Sequence, residues 1–293
     1  MNSFAVFGNP IRHSKSADIY ALFAHEFGIS KEYNLKLAVQ DNFNYLLHNF
    51  FKLGGLGANI TSPFKENAYF LCNQLTERAE KARSVNTIKK LKNGTLLGDN
   101  TDGIGFIGDL KRLNWLDNNN QIISNDAPPI PTMVTNILLI GAGGAAKGIL
   151  PILLTTITTC HINIVNRTFS RAQELTSYYQ EIGYKNISCL PLYKLRYDTN
   201  KYSLIINATT SNIHNTIPKI PYFLITSDTK CYDLFYTKQD TLFITWCKKN
   251  GANYCADGLG MLVGQAAHSF LLWHNTFPTI NPVINRLRSA FYM

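Results

Sequence analysis

The chain has 293 residues, which is enough for two domains, and its 45% apolar and 12% aromatic content is typical of a globular protein. Its net charge is +9, but the basic residues are spread out rather than clustered with aromatic residues, which argues against nucleic acid as a partner. No apolar run approaches the roughly 18 residues of a membrane span, and we recognise no signal peptide, so we expect a cytoplasmic protein without a membrane partner. The cysteines form no CxxC pair and the histidines no HExxH motif, so we expect no metal site.

Short apolar runs alternate with helical patterns along the chain, which predicts α/β layers with parallel strands. A hairpin is expected over residues 87–98, where Asn93-Gly94 predicts a type I′ turn with positive φ at both residues. Residues 114–135 are rich in Asn and Pro and are expected to form a surface loop or linker. The predicted strands lie at residues 4–8, 35–39, 57–60, 136–140 and 161–165, and the predicted helices at residues 17–27, 101–113, 259–274 and 282–291.

A glycine-rich turn lies in NILLIGAGGAAKGIL, residues 136–150, between a predicted strand and a helix start. Gly141 permits a tight turn, Gly143 lets the backbone approach a pyrophosphate, and Ala146 is small where the helix must pack on the strand. Free N–H groups at the helix start favour a phosphate charge. The segment predicts a dinucleotide site, and the alternative is a glycine turn that binds no ligand.

The strand after this turn ends in NRTFSR, where a carboxylate is usual if the cofactor carries a free ribose 2′-hydroxyl. This chain instead has Asn166, Arg167, Thr168 and Arg171. Guanidinium groups and a hydroxyl suit a 2′-phosphate, which favours NADP over NAD. The alternative is that both arginines are solvated residues at a helix start.

Polar residues that could act on a substrate lie in three short segments. Ser14 and Ser16 precede the first predicted helix, where they could bind a carboxylate, although a serine there is more often only a helix cap. Lys65 opens a helix and could polarise a ketone or accept a hydroxyl proton. Asp102 could pair with Lys65, and Asp99 is an equally plausible partner by composition.

Several motifs, in their order along nearly the whole chain, resemble the shikimate dehydrogenase family. They are FGNPIRHSKS, GANITSPFKE, SVNT, LGDNTDG, IGAGGAAKG, NRTFSRA, IINAT, YDLFY and ADGLGMLVGQAAH. The resemblance implies an oxidoreductase of chorismate and aromatic amino-acid biosynthesis that interconverts 3-dehydroshikimate and shikimate with NADP(H). Shikimate would be its small-molecule partner, and a homodimer is one alternative for its assembly.

The resemblance also implies the domain organisation. The fold class would be α/β with two domains, an N-terminal α/β substrate domain and a Rossmann-type NADP-binding domain, with an active-site cleft between them. Residues 1–101 would form the catalytic domain and residues 102–258 the Rossmann domain. Residues 259–293 would be C-terminal helices that return to the catalytic domain.

Functional roles follow by resemblance at the matching positions. Lys65 and Asp102 would be the catalytic pair, with Lys65 as the proton carrier. Ser14, Ser16 and Tyr236 would hold the substrate carboxylate. The ring hydroxyls would be bound by Thr61, Asn86, Asp102 and Gln265. The cofactor would be bound by Glu77, Gly141, Ala142, Gly143, Gly144, Ala145, Asn166, Arg167, Thr168, Phe169, Ser170, Arg171, Leu234 and Gly258.

The chain departs from the family pattern at Thr210-Ser211-Asn212, where Ser-Ser-Gly or Thr-Pro-Gly is common. Because Asn tolerates positive φ, we expect Asn212 to preserve the turn. Two other functions are open alternatives, a quinate/shikimate dehydrogenase that uses NAD and a non-catalytic sensor. Arg167 and Arg171 argue against the first, and the intact pair of Lys65 and Asp102 argues against the second.

Overall fold

The computed structural model describes residues 3–123 and 135–290, which form two compact units. The first unit comprises Met1–Phe106, Lys147–Pro151 and Met261–Met293, and the second comprises Ile107–Ala146 and Ile152–Gly260. The described strands are β1 (Ser3–Gly8), β2 (Glu32–Leu37), β3 (Gly55–Ile60), β4 (Gln74–Leu75), β5 (Thr87–Lys90), β6 (Leu96–Asp99), β7 (Thr135–Ile140), β8 (Cys160–Val165), β9 (Ile187–Cys189), β10 (Leu204–Asn207), β11 (Lys230–Asp233) and β12 (Tyr254–Asp257). The described α-helices are α1 (Ser16–Glu26), α2 (Phe43–Lys52), α3 (Lys65–Leu71), α4 (Glu77–Ala82), α5 (Asp102–Arg112), α6 (Gly144–Thr156), α7 (Phe169–Glu181), α8 (Leu242–Lys249), α9 (Leu259–His274) and α10 (Ile280–Ala290).

The first unit contains a six-stranded sheet in the order β2-β1-β3-β5-β6-β4. β1 is parallel to both β2 and β3, and β4 is parallel to β6. β5 is antiparallel to both β3 and β6, and a tight hairpin joins it to β6. The sheet is therefore mixed, with its antiparallel part at the predicted hairpin.

The turn of this hairpin is not the predicted type I′ turn. Gly94 has φ +86°, whereas Asn93 is not among the described residues with positive φ. The Gly94 N–H donates to the Leu91 carbonyl at 2.9 Å, and the Leu91 N–H donates to the Thr95 carbonyl at 2.8 Å. This pattern is a type I turn followed by a left-handed glycine. The Asn93 side chain accepts a hydrogen bond from the Thr95 N–H at 3.1 Å, which stabilises this turn instead.

A phenylalanine stack in the core of the first unit fixes the start of α3. Phe64 is fully buried, and its ring lies parallel to that of Phe43 with the centroids 4.5 Å apart. The Phe64 N–H also donates to the Thr61 carbonyl at 3.1 Å, which closes the turn that follows β3. Lys65 comes directly after this anchored ring, so its backbone is held by the core although its amino group reaches a polar site.

The second unit contains a six-stranded sheet in the order β12-β11-β10-β7-β8-β9. Every pairing in it is parallel. Read from β9, the chain order of the strands is 3-2-1-4-5-6, which is the order of the doubly wound dinucleotide-binding fold. The expected parallel α/β architecture is confirmed for this unit, and the predicted glycine turn follows its first strand, β7.

The remaining elements lie within a few residues of their predicted positions. The strand expected at residues 35–39 begins earlier, at Glu32, and the last helix ends at Ala290, so residue 291 of its prediction lies outside the described residues. Within the predicted loop at 114–135, Leu116 and Ile122 form an isolated antiparallel bridge, while residues 124–134 lie outside the described part. In the described ranges, no helix has the length and apolar character that a membrane crossing requires.

Candidate functional site

Lys65 and Asp102 form an ion pair in the first unit. Lys65 is the first residue of α3 and Asp102 the first residue of α5. The Lys65 Nζ atom lies 2.5 Å from Asp102 Oδ2, and the two side chains are 18% and 6% exposed. A largely buried carboxylate next to an ammonium group can hold that group in place for proton transfer to a bound hydroxyl.

Asp99, the alternative partner for Lys65, is engaged elsewhere. Its side chain is fully buried, and both of its oxygens are bound by the Arg78 guanidinium group, with Arg78 Nε 2.6 Å from Oδ1. Thr76 Oγ1 donates to the same Oδ1 at 2.6 Å. The structure therefore selects Asp102 as the partner of Lys65, and assigns Asp99 to a structural pair with Arg78.

Asn86 orients the carboxylate of Asp102. Asn86 Nδ2 donates to Asp102 Oδ1 at 2.7 Å and lies 3.2 Å from Gln265 Oε1. Asn86 Oδ1 accepts the Thr101 N–H at 2.9 Å, which fixes the amide orientation. Four of the predicted site residues, Lys65, Asn86, Asp102 and Gln265, are thus brought together from α3, the residue before β5, α5 and α9.

Behind this group lies a buried polar network that the motifs did not single out. Asn59 Nδ2 donates to Thr87 Oγ1 and to Ser269 Oγ, both at 3.1 Å. Asn59 Oδ1 accepts the Tyr33 hydroxyl at 2.7 Å, and burial raises the pKa of Tyr33, so this phenol remains a donor. Asn59 lies inside the GANITSPFKE motif, but Tyr33 and Ser269 carry no local signal because their partners are distant in sequence.

The two predicted serines are adjacent in the structure, and Ser16 does not cap α1. Ser14 Oγ donates to Ser16 Oγ at 3.1 Å and accepts the Ser16 N–H at 3.3 Å. Ser16 is the first residue of α1, and the residue before it, Lys15, makes no capping hydrogen bond through its side chain. The role of Ser16 as the helix cap is therefore wrong, and both hydroxyls are half-buried near the end of β1.

Thr61 and Glu77 are the other predicted site residues of the first unit. Thr61 follows β3, and its N–H donates to the Phe7 carbonyl at 2.9 Å. Glu77 opens α4 with an exposed side chain whose Oε1 lies 2.7 Å from Lys81 Nζ. The hydrogen bond and charge of Lys81 lower the pKa of Glu77. The role of Glu77 toward a cofactor stays a prediction.

The glycine turn of the second unit has the backbone that a dinucleotide loop requires. Gly141 has φ +114°, and a Cβ atom built there would lie 3.0 Å from the Ala208 carbonyl oxygen. At Gly143 and Gly144 such an atom would have no described neighbour within 4 Å, so the loop surface is open. Ala146 is fully buried, and α6 begins at Gly144 without a side-chain cap. These features fit a pyrophosphate against the N–H groups at the start of α6.

The basic segment after β8 adjoins a cavity of about 960 Å³. Asn166, Arg167 and Phe169 line it, together with Arg196 and Lys219, which the sequence motifs did not indicate. Arg196 lies in the 3-10 helix Leu192–Tyr197 and Lys219 in an irregular segment, and composition alone gives no signal at either position. Arg167 and Arg196 form no ion pair with any residue of the described ranges, so their charges are available to an anion.

The other predicted residues of the second unit lie after β11 and β12. A Cβ atom on Gly258 would collide with the Leu234 carbonyl oxygen, so only glycine fits this approach. Burial, together with the negative charge of Asp257, raises the pKa of Tyr236 and keeps its hydroxyl protonated. Among residues 3–123 and 135–290, no cluster of three or more side chains could hold a metal ion.

Comparison with known proteins identifies the family. The family model of the shikimate dehydrogenase substrate binding domain matches residues 6–88, and that of shikimate/quinate 5-dehydrogenase matches residues 130–217. A protein of Blochmanniella pennsylvanica (strain BPEN), named shikimate dehydrogenase (NADP(+)), is 97% identical, with full coverage of both chains. A protein of the same name from Blochmanniella floridana is 57% identical over 99% of each chain. This chain belongs to the shikimate dehydrogenase family.

Solved structures of the shikimate dehydrogenase family have the same fold. The shikimate 5-dehydrogenase of Thermus thermophilus, crystallised with NADP(H) and shikimate, is 26% identical and superimposes with a TM-score of 0.80. The alignment covers 99% of this chain and 100% of that one. The two-domain α/β architecture expected for the shikimate dehydrogenase family is thereby confirmed.

At residues 210–212, where the chain departs from the family pattern, the turn does not place Asn212 at positive φ as expected. Ser211–His214 forms a 3-10 helix, and the residue with positive φ is Asn215, at +51°, not Asn212. Asn212 Oδ1 instead accepts the Leu242 N–H at 3.1 Å, at the start of α8. The turn in this shikimate dehydrogenase family member is thus stabilised by the Asn212 side chain, which a glycine could not supply.

Proposed function

We propose that this chain is an NADP-dependent shikimate dehydrogenase, which reversibly reduces 3-dehydroshikimate to shikimate. The observation that carries the proposal is the 2.5 Å contact between Lys65 Nζ and Asp102 Oδ2, in a site framed by Asn86 and Gln265. An alcohol–ketone interconversion requires a group that moves the hydroxyl proton, and Lys65 is positioned to do so. Family membership supports the substrate and the cofactor.

The proton step belongs to Lys65. During oxidation of shikimate, Lys65 takes the proton of the reacting C3 hydroxyl, and during reduction Lys65 returns that proton. Asp102 keeps the amino group in place, since its own second oxygen is held by Asn86. NADP, when bound, supplies or accepts the hydride, which completes the two-electron change.

The substrate is held by the remaining polar residues of the proposed site. Ser14, Ser16 and Tyr236 bind the carboxylate, and Thr61, Asn86 and Gln265 bind ring hydroxyls. In the free protein the Ser14 hydroxyl donates a hydrogen bond to Ser16 Oγ at 3.1 Å. Both hydroxyls can rotate to donate to an anion instead, and neither is then left without a hydrogen-bond partner. Asn86 contributes by orienting Asp102 and Gln265 as well as by direct contact.

The cofactor site is proposed on the second unit. The residues of the glycine turn, from Gly141 to Ala145, would hold the pyrophosphate, because their backbone is open at Gly143 and Gly144. The segment from Asn166 to Arg171 would hold the 2′-phosphate through its guanidinium and amide groups. Leu234, Gly258 and Glu77 complete the proposed set, and the proposed domain bounds are residues 1–101, 102–258 and 259–293.

The enzyme is proposed to work in the cytoplasm, with small molecules as its partners and without nucleic acid or membrane. The six cysteines are all free thiols, which is typical of a reducing compartment. Whether two copies assemble into a homodimer is a separate question that sedimentation velocity answers directly.

Initial rates of NADPH formation from shikimate test the function, with NAD and quinate as controls. Fast oxidation of shikimate that prefers NADP, with little activity on quinate, would support both the reaction and the phosphate-binding role of Arg167 and Arg171. Comparable rates with NAD or quinate would move the chain to an enzyme of broader specificity. Absence of turnover, with shikimate still bound tightly in calorimetry, would instead indicate a sensor.

A further inference from the structure

Gly148, in the middle of α6, packs directly against the proposed proton-transfer pair. A Cβ atom built on Gly148 would lie 2.6 Å from Asp102 Oδ2 and 3.0 Å from Asp102 Cβ. Oδ2 is the same oxygen that meets Lys65 Nζ at 2.5 Å. Both Gly148 and Asp102 belong to the first unit, so this contact lies within one compact body.

The residue before Gly148 forms an ion pair with the residue after Lys65. Lys147 Nζ lies 2.8 Å from Oε1 of Glu66, the residue that follows Lys65. Two consecutive residues of α6 therefore contact Asp102 itself and the neighbour of Lys65.

The Asp102 side chain is held in place, so it cannot move away from a larger residue at position 148 without losing contacts. Its side chain is only 6% exposed. Its Oδ1 atom is held by Asn86 at 2.7 Å and its Oδ2 atom by Lys65 at 2.5 Å. Displacement of the carboxylate would therefore lengthen at least one of these two hydrogen bonds.

Helix stability does not explain a glycine at position 148. Glycine inside a helix is about 1 kcal/mol less favourable than alanine. The gain that alanine would bring to α6 is offset by the close contact with Asp102. The space that glycine leaves is occupied by the carboxylate that faces Lys65.

We propose that Gly148 is a positioning residue for proton transfer: its missing side chain leaves the room in which Asp102 holds Lys65. This inference rests on the proposed function, because it assigns Gly148 a role in the same reaction. It adds a residue of α6 to a site otherwise built from α3, α5, α9 and the start of β5.

Gly148→Ala is the direct test, with Gly108→Ala as the matched control. Gly108 lies inside α5, and a Cβ atom there meets no described atom within 4 Å. We expect kcat for shikimate oxidation to fall about 100-fold in Gly148→Ala, since small displacements of a catalytic group cost that much. The KM for NADP should stay within about twofold of wild type, because the close contact is with Asp102 and not with a proposed cofactor residue. Gly108→Ala should keep the wild-type kcat and an equal or higher Tm.

Either of two results would overturn the inference. One is a wild-type kcat in folded Gly148→Ala. The other is an equal loss of kcat and of NADP affinity, which would indicate a role in the cofactor loop instead. If the wild-type protein shows no turnover, the proposed function is wrong. The contact between Gly148 and Asp102 is then tested by the Tm values of the double-mutant cycle.

A double-mutant cycle keeps the inference testable if Gly148→Ala folds poorly. Asp102→Ala removes the carboxylate that the new Cβ atom would meet. The decrease in Tm caused by Gly148→Ala should then be smaller in the Asp102→Ala background than in wild type. Equal decreases in both backgrounds would show that Asp102 is not the group that Gly148 accommodates, and the inference would be wrong.

Discussion

The Lys65 amino group meets the carboxylate of Asp102, whose other oxygen is held by Asn86. This arrangement restricts the amino group to one position without burying it completely, since 18% of its side chain is exposed. A proton carrier requires both properties, a fixed position and access to the bound hydroxyl.

Replacement of Lys65 by alanine should strongly decrease turnover while leaving the cofactor site intact. We expect kcat to fall by at least about 100-fold, the usual contribution of a positioned acid–base group. The Kd for NADP, measured by fluorescence titration, should change little because the proposed cofactor residues other than Glu77 lie in the second unit. Lys92→Ala, in the exposed hairpin turn, is the control. Weak NADP binding in Lys65→Ala would instead indicate a structural role.

Replacement of Arg167 by alanine should change the choice of cofactor. Loss of the guanidinium group removes a charge-assisted contact to a 2′-phosphate, which NAD lacks. The ratio of kcat/KM for NADP to that for NAD should fall at least about tenfold, which corresponds to 1.4 kcal/mol. Arg196→Ala, at the same cavity, tests whether a second arginine contributes. An unchanged ratio in Arg167→Ala would contradict the phosphate role, and exposed Arg286 offers a control substitution.

At the scale of elements, two glycines of the turn between β7 and α6 are required for different reasons, one for backbone conformation and one for approach of a ligand. Gly141 is required by backbone conformation, since its φ is +114°. Gly143 has φ −95°, which any residue adopts, and its surroundings are open. A glycine there is needed only if something outside the protein must approach the backbone closely.

The two glycines should therefore respond differently to alanine. Gly141→Ala should lower the free energy of unfolding by about 1–3 kcal/mol, the usual cost of a strained backbone conformation. Gly143→Ala should leave the Tm unchanged but weaken NADP binding about tenfold. Thermal unfolding and calorimetric titration of both variants check this. Unaltered NADP affinity in Gly143→Ala would contradict close approach of the pyrophosphate.

Sequence patterns predicted the elements better than their connections. Apolar runs with helical intervals indicated the parallel sheet of the second unit, because strands buried on both faces carry a strong signal. The Asn93-Gly94 pair indicated a hairpin but the wrong turn, since the Asn93 side chain bonds to Thr95. The choice between Asp99 and Asp102 was open in the sequence because both carboxylates belong to one short motif, LGDNTDG. It depends on Arg78, which occupies Asp99.

At the scale of the whole molecule, one buried carboxylate makes stability depend on pH. Asp233 ends β11, and its oxygens accept hydrogen bonds from Asn207, Thr241 and Phe235. Burial raises its pKa from 3.8 to about 6, against the opposing effect of these hydrogen bonds. The folded protein therefore binds a proton that the unfolded chain releases between about pH 4 and pH 6.

The contribution of Asp233 to stability is therefore complete below about pH 4 and is lost as the pH rises through about 6. In wild type this group should lower the free energy of unfolding by about 3 kcal/mol over that interval. Asp233→Asn cannot titrate, so its stability should decrease less from pH 4 to pH 6. Urea unfolding of both proteins at several pH values measures the difference. Parallel pH profiles would show that burial does not perturb Asp233.

The order of residues in the first unit has a consequence for synthesis on the ribosome. The buried amide of Asn59 donates to Ser269, which belongs to the last stretch of the chain, Met261–Met293. Every residue of the second unit up to Gly260 is synthesised before Gln265 and Ser269. Domains usually fold as they emerge, from the N-terminus onward. The nascent first unit therefore has an incomplete polar core until then, and its proton-transfer site can form only after the second unit has been synthesised.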